Sequence, residues 1–145
     1  MIEMIQIKSA CNRVLRNTFP KMKIYGNDSS EGLERPCFYT EIVPYTLTYE
    51  TVNMVHQRCG FKISIFEKKA DETFQLKTLA KIREAFGMKL HVEDRQLQIT
   101  DLDFETTGKN NDIFQITLTI EWFDSITKAV TQPLMENVAI TENIR

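Results

Sequence analysis

The sequence predicts an α+β fold: a mostly antiparallel sheet with two helices packed on one face and a long projecting β-hairpin. Three observations predict it. Apolar and polar residues alternate over residues 112–124, two other segments show helical spacing, and two long alternating segments near the middle of the chain are separated by a short turn. The connections are short, which favours antiparallel pairing and places both helices on one side of the sheet.

The clearest element is the strand over residues 112–124. Successive side chains of a strand point to opposite faces, so strict alternation indicates a half-buried strand. The apolar face consists of Phe114, Ile116, Leu118, Ile120 and Trp122, and the polar face of Gln115, Thr117, Thr119 and Glu121. We expect the apolar face to pack against Leu79, Ile82 and Phe86 of the second helix and against Val14 of the first.

Two amphipathic helices are predicted. The first covers residues 2–18, where apolar side chains recur every three to four positions before Pro20 ends the helix. The second begins at Asp71, a good N-terminal cap, and ends at Gly87, which suits the position after a helix. Its predicted buried side consists of Phe74, Leu76, Leu79, Ile82 and Phe86.

The predicted hairpin joins residues 37–50 to Met54–Phe66, with its tip at residues 51–53. At about 3.3 Å per residue its first strand would reach roughly 45 Å, well beyond a common strand. Such a strand either projects from the domain as an arm or is split by a bulge at Pro44.

Short strands complete the predicted sheet, at residues 22–25, 90–92, 97–100 and 102–106, with turn-forming loops at residues 26–32 and 107–111. We assign residues 1–124 to a single domain. The alternation fades after Asp124, so residues 125–145 are predicted to form a C-terminal arm or tail.

Composition excludes several classes of protein. The chain has 145 residues, a net charge of −2 and a pI near 5.7, which argues against a nucleic-acid binder. No apolar run approaches the ~20 residues of a membrane helix, and the first residues do not resemble a signal peptide. Cys11, Cys37 and Cys59 form no disulfide framework, so we expect reduced thiols in a cytoplasm.

Histidines and cysteines offer little catalytic chemistry. His56 and His91 lack neighbours at metal-ligand spacing, and we interpret both as histidines of a polar face. A nucleophile formed by Cys37 or Cys59 with His56 is an alternative, but Cys59 shares parity with apolar neighbours and is expected in the core. The sequence therefore predicts no enzyme, no metal and no cofactor.

An acidic stripe is the remaining chemical candidate. Asp101, Asp103 and Glu105 recur at every second residue and would share one strand face, where they could hold a hard cation. A solvated face opposite Leu102 and Phe104 is the favoured interpretation. The five glycines form no phosphate-binding motif.

Tyrosines mark a candidate interaction surface on the hairpin. Tyr39, Tyr45 and Tyr49 share parity, and tyrosine is favoured at protein interfaces because it combines apolar area with a hydroxyl group. An aromatic ladder within one subunit explains the same pattern equally well. The predicted subunit interface consists of Tyr45, Leu47, Tyr49, Glu50 and Arg58.

Several features together resemble the bacteriophage tail terminator proteins of Gram-positive phages and phage-tail-like particles. They are the amphipathic helix over residues 2–18, the strand opening Arg35-Pro36-Cys37-Phe38-Tyr39-Thr40-Glu41-Ile42, the strand Phe61–Phe66 followed by an acid-led helix ending at Gly87, and the closing strand with Trp122-Phe123. The likeness spans residues 1–124, and residues 125–145 have no counterpart in it.

The resemblance implies a non-enzymatic ring, commonly a hexamer, that caps the head-proximal end of the tail tube, stops its polymerisation and offers a docking surface. Its partners would be its own copies, the tube protein and, in a contractile tail, sheath or neck proteins, with no membrane and no sequence-specific nucleic acid. The protein would reside in the virion or a bacteriocin-like particle assembled in the bacterial cytoplasm. A head–tail connector, a tail-tube subunit and a small-molecule-binding α+β domain are the alternatives.

Overall fold

The computed structural model describes residues 1–26, 34–108 and 113–126. Within them the chain forms two helices and six strands: α1 (Met4–Thr18), β1 (Lys23–Tyr25), β2 (Cys37–Thr51), β3 (Met54–Phe66), α2 (Glu72–Phe86), β4 (Lys89–Val92), β5 (Arg95–Thr107) and β6 (Ile113–Ser125). Most of the predicted tail, from residue 127 onward, and most of the two polar loops lie outside the described residues, whereas Ser125 belongs to β6. The two short strands predicted at 97–100 and 102–106 are wrong as separate elements, because β5 runs through both with a bulge at Thr100.

The six strands form one sheet in the order β1-β2-β3-β6-β5-β4. Every neighbouring pair is antiparallel except β1 and β2, which are parallel with Lys23 opposite Cys37. The sheet is therefore mixed rather than purely antiparallel.

Both helices pack on one face of the sheet. The apolar side chains of that face belong to the central strands β3 and β6, where the predicted residues Leu118 and Ile120 are almost completely buried. They share one cluster with the buried residues of the helices, Ile7, Cys11, Leu15, Ile82 and Phe86. The two central strands and the two helices therefore form the core, as the alternation predicts.

Local signals set the helix limits. The backbone N–H of Glu3 donates to the Gln6 side chain at 2.8 Å at the start of α1. The Asp71 carboxylate accepts from the Thr73 N–H at 3.1 Å and caps α2, while Gly87 follows it with φ +60°, a conformation that favours glycine. No helix among the described residues is long and apolar enough to cross a membrane.

Part of the predicted helix packing needs correction. Leu76 was assigned to the buried side of α2, but its side chain is 53% exposed. Val14 and Leu79 are only partly buried against the core, whereas Thr78 is buried. The side of α2 that carries Leu76 and Leu79 is therefore less buried than the spacing of its apolar residues predicts.

Strands β2 and β3 pair as an antiparallel unit joined at Val52 and Asn53. Strand β6 follows β3 along its full length, from Phe66 to Met54, and the backbone N–H of Ile126 donates to the Asn53 carbonyl at 2.7 Å. The unit is thus held in the sheet on its β3 side, and a projecting arm is not confirmed. The alternative of a bulge near Pro44 is what the register shows.

Candidate assembly surface

The outer edge of β2 offers backbone groups for pairing. Strand β1 covers only Cys37 to Tyr39, and among residues 1–26, 34–108 and 113–126 no other strand pairs with that edge. We call residues 40–51 the open β2 edge. The second half of β2, residues 44–51, is exposed throughout. A sheet edge of this kind is a template for pairing with another chain.

Two of the predicted interface residues are the bulged residues of β2. Tyr45 lies between Pro44, opposite Cys59, and the next paired position, so it has no residue opposite it; Glu50 occupies the second irregularity in the same way. The Tyr45 ring lies over Gly60, where a Cβ would come within 2.1 Å of the tyrosine hydroxyl. Tyr45 therefore packs on its own sheet, while the exposed Glu50 sits next to the hairpin tip.

The bulge separates Tyr45 from the other two apolar residues of the predicted surface. Leu47 pairs with Gln57 and Tyr49 with Val55, two buried positions on the helix-bearing face, whereas Tyr45 covers Gly60 on the opposite face. The prediction that Tyr45 and Tyr49 share parity is therefore wrong, since the extra residue reverses the alternation. Leu47 is 46% and Tyr49 70% exposed.

Arg58 lies on the outer face of the sheet and has a partner within the subunit. Its Nε is 3.4 Å from Oε2 of Glu121, and Nε2 of His56 is 3.7 Å from the other oxygen of the same carboxylate. The His56 ring stacks on Phe123 with centroids 4.5 Å apart. This group lies on the outer face beside the turn at Val52 and Asn53, and the Arg58 side chain is 40% exposed there, so its place in a subunit interface stays a prediction.

A buried carboxylate fixes this end of the sheet. Asp124 accepts hydrogen bonds from Trp122 Nε1 at 2.8 Å, Gln57 Nε2 at 3.1 Å and the Ile2 N–H at 3.3 Å, and it pairs with Arg95. Burial by itself would raise the pKa of Asp124, but these donors and the Arg95 charge together lower it. The N-terminal segment, β3, β5 and β6 are thereby joined at one point.

The opposite border of the sheet carries a second open segment. Strand β4 pairs with β5 only from Arg95 to Gln98, so among the described residues the outer edge of β5 has no partner from Asp101 onward. We call residues 101–107 the open β5 edge. Phe104, opposite Ile116, lies on the helix-bearing face but is 58% exposed. Asp101, Asp103 and Glu105 lie on the other face and are exposed, as the solvated interpretation predicts.

The candidate chemical residues do not converge. Cys11, Cys37 and Cys59 are buried and free, and burial raises the pKa of each thiol, that of Cys59 to about 12. A thiol with so high a pKa is protonated at neutral pH and is a poor nucleophile. Across the parts of the chain that the structure describes, no three His, Cys, Asp or Glu side chains are arranged to hold a metal ion.

Two exposed apolar residues of this surface escaped the sequence analysis. Phe104 was assigned to a buried face because it alternates with acids, and Phe123 lay on the polar parity of β6, where it is 49% exposed. The alternation gives the face of a residue but not whether another element covers that face. The signal that could have located Phe104 is the shortness of β4, which leaves the second half of β5 without a neighbour.

Comparison with known proteins decides the family. A family model described as phage tail terminator protein matches residues 6–132. The chain belongs to the phage tail terminator family. It is thus a structural protein of a phage tail or related particle and has other tail proteins as partners. The family is structural rather than enzymatic.

Two solved structures share the fold of this family member. One, which has no descriptive name, is 9% identical, with a TM-score of 0.53, covering 88% of this chain and 99% of its own. The other is a chain from the virion of a native gene transfer agent particle, 13% identical with a TM-score of 0.53, covering 82% of this chain and 94% of its own. No curated protein matches the sequence.

Proposed function

We propose that this protein forms a closed ring of identical subunits, six in number as the family resemblance implies, that caps the head-proximal end of the tail tube. The ring ends tube polymerisation and provides the surface on which head or neck proteins dock. It assembles in the host cytoplasm and remains in the finished particle. Its partners are its own copies, the tube protein and, where the tail is contractile, sheath proteins.

The observation that carries this proposal is the open β2 edge. Among the described residues no strand pairs with the backbone donors and acceptors beside Leu47 and Tyr49, and both side chains expose apolar area. Pairing of an exposed edge with another chain is a common mode of protein association. The open β2 edge lies on one border of the sheet. Pairing it with the same edge of another copy would give a two-fold dimer rather than a ring, so in a ring its partner is a different surface of the next copy.

A contact between two different surfaces of identical copies is heterologous. Such contacts close into a ring when the rotation per subunit divides the circle, and they otherwise give open filaments. A ring whose two faces differ ends a polymer simply: one face complements the last tube ring, and the other accepts no further tube subunit. Membership of a family of structural tail proteins agrees with this role.

Tail length measures the proposed function directly. In a host producing the particle, deletion of the gene should give tube polymers of uncontrolled length, and the full-length protein supplied in trans should restore uniform tails. Electron microscopy of the particles records both results. Uniform tails of normal length in the deletion strain would contradict the proposal.

The same protein, purified, separates a terminator from a tail-tube subunit. A terminator gives single closed rings, or monomers that form rings only on a tube end. A tube subunit stacks into open-ended tubes, because both of its ring faces are complementary to each other. Negative-stain images of long tubes formed by the protein alone would favour the tube subunit.

A further inference from the structure

We propose that the open β2 edge of one copy pairs with the open β5 edge of the next, with Leu47 opposite Phe104 and Tyr49 opposite Leu102. This inference rests on the proposed ring and names the surface that closes it. The strand directions support it. From β2 through β3 and β6 to β5 every step is antiparallel, so β2 and β5 run in opposite directions within one sheet. Copies placed side by side in the same orientation therefore present an antiparallel pair of edges, which is what a cyclic ring requires.

The short outer strands limit how the two edges can meet. Strand β4 occupies β5 up to Gln98, and β1 occupies β2 up to Tyr39. If the copies were paired without any shift along the strands, the incoming β2 would collide with β4. Lys89 of β4 is level with Glu121 of β6 through Gln98, and Thr46 of β2 is level with the same residue. The incoming strand must therefore slide along β5, away from β4.

The side-chain alternation fixes the size of this shift. Read across the sheet through β3, Leu47 is level with Trp122 of β6, and Phe104 is level with Ile116 of the same strand. The two positions are therefore six residues apart along the strands. Shifts must be even to keep the helix-bearing faces of both copies on one side. A shift of four residues still places Thr51 opposite Gln98, which already pairs with β4. Six residues is therefore the smallest even shift at which the incoming strand does not overlap β4. It corresponds to about 20 Å along the strands, an offset that tilted strands in a closed ring accommodate.

At this register the exposed apolar residues of the two edges meet. Leu47 and Tyr49, 46% and 70% exposed, come opposite Phe104, 58% exposed, and the half-buried Leu102. All four lie on the helix-bearing face. Cross-strand apolar pairs of this kind stabilise a sheet and remove apolar area from water.

Side chains on the outer face favour pairing of the open β5 edge with the open β2 edge over pairing with a second β5 edge. There the shift places threonines at positions 46, 48 and 51 opposite Glu105, Asp103 and Asp101. Two β5 edges paired with each other would instead bring the three carboxylates of one copy against those of another. Like charges placed opposite one another destabilise a strand pair, so the acidic stripe disfavours β5–β5 pairing and leaves β2 as the acceptable partner.

Cysteine cross-linking tests the register in assembled tails. The full-length variant Leu47→Cys with Phe104→Cys, oxidised mildly in purified particles, should give a ladder of covalent oligomers on a non-reducing gel, ending at the ring number. Directly opposite residues have Cα atoms about 4.5–5.5 Å apart, within disulfide reach. Within one subunit the two positions are separated by three strand spacings and six residues along the strands, so the bond can form only between copies. The native cysteines are buried, and each single variant should stay monomeric.

A second pair makes the register falsifiable. Tyr49→Cys with Phe104→Cys lies one step diagonal to the proposed register and should not cross-link; an oligomer ladder from this pair in place of the first would overturn the register. Failure of the first pair to cross-link in tails of normal length would overturn the edge pairing while the capping function stands. Normal tails in the deletion strain would instead contradict the capping function itself.

An engineered charge pair tests the same register independently if the cysteine variants assemble poorly. Thr48→Lys places an ammonium group opposite Asp103 and should tighten association of the copies roughly two- to fivefold per contact. Adding Asp103→Asn should abolish that gain. Sedimentation of the purified chains, or competition between variants for tube ends, measures the change. A gain that survives Asp103→Asn would contradict the pairing of these two positions.

Discussion

The two halves of β2 lie in one continuous strand with one partner, yet they have opposite environments. In the first half Cys37 and Phe38 are fully buried and Thr40 is 1% exposed, whereas residues 44–51 are all exposed. Both halves pair with β3. The difference lies in what covers them: β1 and α1 contact the first half, and in the described residues no strand covers the edge of the second.

Composition does not account for this difference, since both halves carry aromatic and aliphatic side chains. A long edge with exposed apolar residues is an aggregation hazard that proteins normally protect with charges, a proline or a covering element. Here the bulges at Tyr45 and Glu50 interrupt the edge without shielding Leu47 and Tyr49. We therefore expect the first half to stabilise the subunit, and we propose that the second half is completed by another chain.

The largest expected effect is on the stability of the subunit. Leu118→Ala, in the fully covered centre of the sheet, should lower the free energy of unfolding by about 2–5 kcal/mol through lost burial and a cavity. Leu47→Ala, at the exposed edge, should change it by less than about 0.5 kcal/mol in the monomer. Urea titrations of both variants check this contrast, and equal losses would remove the distinction between the two regions.

This contrast also shows where sequence reasoning stops. The strand limits of β3 and β6, the capped helix α2 and the buried parity of Leu118 followed from alternation and end signals, because these are local properties of the chain. The face of Tyr45 did not follow, because one bulged residue reverses the alternation beyond it. The exposure of Phe104 depends on how far β4 extends along β5, and the alternation within β5 alone does not record that pairing.

The predicted interface stays a prediction, and its residues have different surroundings within the subunit. Leu47 and Tyr49 are exposed on the β2 edge, as an interface requires, and whether they form one stays a prediction. Arg58 pairs with Glu121, a long-range contact between β3 and β6. Alternation gives the face on which Arg58 lies but not its partner, since that depends on the order of strands in the sheet.

The Asp124 cluster tests whether the end of the sheet beside the open edge is rigid. Asp124→Asn should lower the free energy of unfolding by about 1–3 kcal/mol. It removes the ion pair with Arg95 and leaves the buried donors with a weaker acceptor. The pKa of Asp124 is lowered in the folded state from its ordinary value of 3.8. Its charge therefore contributes stability that is present above that value and is lost as the pH falls through the folded pKa. Acid titrations of unfolding should accordingly be less steep below about pH 4 for Asp124→Asn than for the native chain; identical slopes would show that Asp124 does not contribute in this way.

A smaller effect on stability should test whether the Tyr45 ring lies over Gly60. Gly60→Ala introduces a Cβ that would lie 2.1 Å from the tyrosine hydroxyl, so the ring must move, at a cost of about 1–2 kcal/mol. Tyr45→Ala removes the clash, so the double variant should be more stable than the sum of the two single changes predicts. Strictly additive losses in a double-mutant cycle would mean that Tyr45 does not lie over Gly60.

The central claim is that the second half of β2 serves assembly rather than the subunit's own stability. The most direct measurement is the tail length of particles complemented with Leu47→Ser and Tyr49→Ser together, alongside the matched control Leu76→Ser and Met88→Ser, whose side chains are 53% and 73% exposed elsewhere on the surface. Both variant monomers should melt close to the native protein. We expect uncontrolled tail lengths from the edge variant and uniform tails from the control. Uniform tails from the edge variant, with its melting unchanged, would contradict the claim.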